Sequence, residues 1–163
     1  MDDYNIDRFH NRKNPRMKWY DYSQPNYYFI TVCTHEKRCI FGRPGAPNRY
    51  GQIAEQGILA IGAHFPNVTV DKYVVMPNHI HIILILQEGS TNLSVVVGQY
   101  KAFVTRQVHK IDPKCNVWQA SFHDHIIRDQ NGYERIWNYI HANPQKWQDD
   151  CFYSETVPFN QEI

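Results

Sequence analysis

Residues 76–86, Met-Pro-Asn-His-Ile-His-Ile-Ile-Leu-Ile-Leu, constrain this chain more than any other stretch. The run is almost wholly apolar and rich in β-branched side chains, which predicts a buried strand. Successive strand residues point to opposite faces. His79, His81, Ile83 and Ile85 therefore share one face, and Ile80, Ile82, Leu84 and Leu86 share the other. Two imidazoles at neighbouring same-face positions can converge on one divalent ion and leave other coordination positions for a substrate. The same pattern also fits two strand histidines hydrogen-bonded to their surroundings.

The rest of the chain supplies partners for that strand. Residues 27–34, Tyr-Tyr-Phe-Ile-Thr-Val-Cys-Thr, read as a first strand after a Gln-Pro-Asn turn signal. Residues 36–52, punctuated by Gly42, Pro44, Gly45, Pro47 and Gly51, read as a loop or irregular hairpin. A helix is predicted over 53–64, ended by Pro66 and Asn67, and a strand over 68–76 turns at Pro77 and Asn78 into the two-histidine strand as an antiparallel neighbour. Leu93, Val97, Tyr100, Val104, Val108 and Ile111 form one helical stripe. Residues 118–128 read as a fourth strand, and a last helix runs from about 131 to Asn143, where Pro144 follows. This order predicts an α+β domain of the ferredoxin-like, split β-α-β kind: an antiparallel sheet with two helices on one face and the last helix on the other.

At 163 residues and 42% hydrophobic content the chain is expected to form a single domain over 1–163, with a basic arm over 1–20 and a tail over 150–163. No long uncharged apolar segment and no secretory leader is evident, so a cytoplasmic location without membrane contact is expected. Cys33, Cys39, Cys115 and Cys151 lack metal or redox spacing and read as structural thiols. Net charge is only +1, so the distribution of charge carries more information than its sum. Arg8, Arg12, Lys13, Arg16 and Lys18 fall in one stretch free of acids, with aromatics among them, a composition suited to a phosphate backbone or to a solvated arm. The second helix likewise carries Lys101, Arg106, His109 and Lys110 without an acid. Arg12, Lys13, Arg16, Lys101, Arg106 and Arg128 are the candidate DNA contacts, while the His123-Asp124-His125 triplet admits a metal, structural or DNA-contacting reading.

On the last helix Tyr133, Ile136, Trp137 and Ile140 make the packing stripe. Tyr139 falls roughly 110° from its middle, at the edge of the packing face, with Asn143 one turn further on. Four segments then add up to a resemblance: 20–34, 76–81, 118–128 and 137–147. In them the chain resembles the REP-associated tyrosine transposases, relatives of the single-domain HUH (His-hydrophobic-His) transposases of bacterial insertion sequences. The resemblance implies that His79 and His81 bind a metal, that Tyr139 is the nucleophile, and that Asn143 stands where related enzymes place a third ligand, often glutamine.

It further implies Mg²⁺ or Mn²⁺ as cofactor, single-stranded or hairpin DNA of palindromic repeats as partner, and a monomer or homodimer. Tyrosine attack on a phosphodiester leaves a 5′-phosphotyrosine and a free 3′-hydroxyl, conserving bond energy for rejoining. Two other readings stand beside this strand transferase: a domesticated hairpin-DNA-binding protein without transposition activity, and a metal-binding housekeeping enzyme unrelated to DNA.

Overall fold

Residues 17–155 are described by a computed structural model. The apolar run forms β5 (His79–Leu86), flanked by β1 (Asn26–Cys33) and β4 (Val68–Val75), while β6 (His123–Ile127) pairs with the far side of β1. The sheet order is β4-β5-β1-β6, and every pairing is antiparallel. This is the ferredoxin-like arrangement expected from the element order. A small hairpin of β2 (Gly42–Arg43) and β3 (Ala46–Pro47) lies within the 36–52 loop.

The two faces of β5 divide the core as its period of two requires. Ile80, Ile82, Leu84 and Leu86 pack with Tyr28, Ile30 and Val32 against α1 (Arg49–Leu59), α2 (Ile61–His64) and α3 (Leu93–His109). Ile83, on the other face, joins Phe29, Ile127, Ile136 and Ile140 beneath α4 (Gln130–Ala142). Each such aliphatic side chain contributes about 1.5–3 kcal/mol by leaving water, so the interior on the α1–α3 side is the dominant one. Helices α1 and α3 approach closely at Gly57, where a Cβ would meet Tyr100 Cε2 at 2.9 Å. The absence of a side chain there sets their spacing.

Several boundaries differ from the sequence reading for local reasons. Helix α1 starts at Arg49 rather than 53, because Asn48 Oδ1 accepts from the Tyr50 and Gly51 amides and caps it. The fourth strand covers only 123–127; Trp118 instead makes a lone bridge to Thr34. Asp129 Oδ1 accepts from Gly132 N at 2.6 Å and starts α4 at Gln130. Pro144 does not end the winding. A proline is tolerated in a first helical turn, where its missing N–H has no intrahelical partner, and a 3₁₀ segment continues over Asn143–Asp149. On edge strand β4 the register skips Asp71 at a bulge, and its carboxylate accepts from Tyr133 Oη at 2.7 Å, fastening α4 across the sheet.

Candidate metal centre and nucleophile

His79 and His81 open β5 on the face covered by α4, and both are fully buried. Their rings lie 4.5 Å apart at 66°. Each ring is held through Nδ1. His79 Nδ1 is 2.8 Å from Asn78 Oδ1, and Asn78 Nδ2 donates to the carbonyls of Lys37 and Phe152, so the amide oxygen is the atom left to accept from the ring. His79 therefore carries its proton on Nδ1 and keeps its lone pair on Nε2. His81 Nδ1 lies 2.8 Å from Thr31 Oγ1, its cross-strand neighbour on β1. Supports of this kind orient metal-ligating imidazoles.

His79 Nε2 is buried and makes no hydrogen bond of ordinary geometry. Burial pushes the pKa of the ring down to about 3; the adjacent Asn143 amide opposes this and the Lys37 charge reinforces it. A neutral, lone-pair imidazole nitrogen is what a cation requires. Asp150 Oδ2 sits 3.8 Å from it, and one ligand atom from each of His79, His81 and Asp150 lies within 4.8 Å of the others. Among the described residues this is the group of three His, Cys, Asp or Glu side chains able to hold a metal. The donor set of two imidazoles and a carboxylate suits a divalent ion.

Helix α4 brings the last two candidates to the same place. Ile136 and Ile140 anchor it on the sheet, and the half-buried Tyr139 is turned along its margin, its ring 5.3 Å from that of His81 and 6.3 Å from Phe29. Asn143, at the helix end, is buried; its Nδ2 donates to Asp150 Oδ2 at 2.6 Å, while its Oδ1 is buried without a hydrogen bond. Phe152 closes the assembly, 4.6 Å from the His79 ring and 6.2 Å from that of His81, with Lys37 Nζ above it at 5.2 Å.

The candidate DNA contacts are more dispersed. Arg12, Lys13 and Arg16 lie outside the described residues. Lys101 Nζ donates to the Gln119 carbonyl at 2.6 Å, with those of Ala120 and Ser121 at 3.4 and 3.5 Å, and so ties α3 to the 118–121 loop. Arg106 is exposed on α3, on the side of the sheet opposite the histidine pair, and Arg128 is exposed just after β6. The His123-Asp124-His125 triplet is divided by strand alternation: Asp124 pairs with Ile30 of the α1–α3 side and is buried, whereas His123 and His125 pair with Thr31 and Phe29 on the site face. Three consecutive strand residues cannot turn to one ion.

Asp150 is the site residue that the sequence reading missed, having assigned it to a tail. Its only sequence signal is an acid in the turns after Pro144, seven residues beyond Asn143, and no regular helix carries that spacing to the strand.

A ferredoxin-like sheet bearing a His-hydrophobic-His pair, with a tyrosine of the last helix against it, is the arrangement expected of the tyrosine transposases that the sequence resembles. The chain belongs to the IS200-like transposase family, whose pattern matches residues 22–143. It is 34% identical to an uncharacterized protein of Haemophilus influenzae, over 88% of this chain and 94% of that one. It is 32% identical to the REP-associated tyrosine transposase of Escherichia coli K12, over 47% of this chain and 44% of that protein. A REP-associated tyrosine transposase solved bound to a REP hairpin shares the fold at a TM-score of 0.64 and 24% identity, covering 83% of this chain and 74% of that one. The family is one of transposase-like DNA-processing proteins. No helix among the described residues is long and apolar enough to cross a membrane.

Proposed function

We propose that the chain is a divalent-metal-dependent endonuclease and strand transferase for single-stranded or hairpin DNA, working through a 5′-phosphotyrosine at Tyr139. The observation that carries this reading is the packing of Tyr139 on His81, at 5.3 Å between rings, beside a histidine pair whose buried nitrogens converge. Tyr139 Oη attacks the scissile phosphorus. An O–P bond forms, the bond from phosphorus to the 3′-oxygen breaks, and the departing oxygen takes up a proton as the phenol loses one.

A phenol with a pKa of about 10 is a weak nucleophile at neutral pH, so the surroundings must favour attack. Thr31 and Asn78 fix the two imidazoles, and α4 holds the phenol against them. His79, His81 and a side-chain oxygen from the end of α4 or the turns beyond it, where the family match falls on Asn143, would hold a Mg²⁺ or Mn²⁺ ion, and such an ion would supply Lewis-acid polarisation of the phosphate. The hairpin substrate is supported by the structural neighbour that was solved with a REP hairpin.

The test is incubation with Mg²⁺ or Mn²⁺ and labelled single-stranded hairpins. Wild type should give a denaturation-resistant protein–DNA adduct. Tyr139→Phe, which loses only the attacking oxygen, should bind without forming it. An adduct surviving the substitution assigns the nucleophile elsewhere; hairpin binding with no adduct from wild type favours the binding-only protein.

A further inference from the structure

We propose that Asp150, rather than Asn143, is the charged oxygen ligand of the candidate cation site, and that Asn143 positions its carboxylate. The inference rests on the metal reading above and deepens it.

The Asp150 side chain is fully buried at the end of the 3₁₀ segment. Oδ1 accepts from the Phe152 amide at 2.7 Å and Oδ2 from the Asn143 amide at 2.6 Å. Both donors are neutral. Among the described residues its ion-pair contact within 4.0 Å is with His79, whose Nδ1 proton is committed to Asn78. A carboxylate taken out of water with neutral donors alone is poorly compensated, and a cation completes it.

Each carboxylate oxygen retains a lone pair after these bonds. The 3.8 Å from Oδ2 to His79 Nε2 is too long for a hydrogen bond. It is near the roughly 3.0–3.5 Å that separates two ligands each about 2.1 Å from one ion. His79 Nε2 supplies a second, independent sign of a ligand: it is fully buried and without a hydrogen bond of ordinary geometry. Asn143, by donating Nδ2 to Oδ2, orients the carboxylate toward the two rings. A carboxylate also binds a hard divalent ion more strongly than an amide oxygen does, because it brings a full charge. The 3₁₀ continuation past Pro144 thus carries a ligand back to the strand that the helix alone could not supply.

The test is Mn²⁺ titration of the full chain without DNA, followed by the electron paramagnetic resonance signal of the free ion. Asp150→Asn retains an oxygen that can accept from Asn143, and it should weaken Mn²⁺ binding tenfold or more. Asn143→Ala should cost less. Asp150→Asn within twofold of wild type, with Asn143→Ala losing tenfold, overturns the assignment and makes Asn143 the ligand. Absence of Mn²⁺ binding by wild type overturns the metal reading itself, a separate outcome. Should Asp150→Asn not fold, the wild-type chain crystallised with Mn²⁺ decides by anomalous scattering. A peak within about 2.5 Å of an Asp150 carboxylate oxygen supports the assignment, and one bonded to Asn143 and both histidines but not to Asp150 refutes it.

Discussion

Thr31 Oγ1 and His81 Nδ1 lie 2.8 Å apart across the β1–β5 register, inside the sheet face that α4 covers. One strand's hydroxyl thereby sets the ring of the next strand's histidine, which offers a nitrogen within 4.8 Å of a ligand atom on each of His79 and Asp150.

Thr31→Val preserves shape and removes that oxygen. The ring then loses its orienting partner while the sheet keeps its packing. Mn²⁺ affinity should fall about 10- to 100-fold, the usual cost of losing an outer-shell partner. Calorimetric titration of the variant checks this, and an unchanged affinity means the ring is fixed by packing alone.

Ile140 is 1% exposed and clamps α4 onto Phe29 and Ile83. Ile140→Ala should destabilise the fold by about 2–5 kcal/mol, through diminished burial and the cavity left behind. Urea denaturation measures it. Because the same packing holds Tyr139 beside His81, adduct yield should drop in the folded fraction as well.

The depressed pKa of His79, about 3, makes the metal-free protein acid-sensitive. Above the ordinary histidine value of about 6.5 neither state is protonated and stability is complete. As pH falls below it, the unfolded chain takes up a proton that the folded chain refuses until about pH 3. Stability is therefore lost on acidification, by about 2 kcal/mol at pH 5 from this group. Urea unfolding at pH 7 and pH 5 in chelator should show the difference, and His79→Gln should flatten it.

Arg12, Lys13 and Arg16 changed together to Ala should weaken hairpin binding and lower the slope of log affinity against log salt by about 0.7 to 0.9 for each phosphate no longer neutralised. Filter binding across a salt series reads this directly. A slope equal to that of wild type removes the arm from the interface.

Strand periodicity was enough to predict the sheet and the place of the histidine pair. A period of two fixes which side chains share a face, so the division of β5 into an all-aliphatic side, which packs on α1–α3, and a histidine side, which α4 covers, was legible from residues 79–86 alone. The alternation that joins His79 to His81 also separates Asp124 from His123 and His125. Helical spacing put Tyr139 at the edge of the packing face with Asn143 one turn on, and their expected roles came from the family motif alone.

Which charges already have partners, and which acid lies beside the histidine pair, depended on tertiary packing. Lys101 read as a candidate DNA contact on a basic helix face, yet its ammonium donates to the carbonyls of Gln119, Ala120 and Ser121, a partnership 18 or more residues distant that no local pattern encodes. Asp150 looked like the start of a tail. The chain winds past Pro144 and returns its carboxylate to the strand that begins at His79, where Asn143 and the Phe152 amide hold it. Periodicity reports which face of its own element a residue occupies; convergence of separate elements depends on how their faces pack, and a buried carboxylate seven residues past the last helical landmark is set by that packing alone.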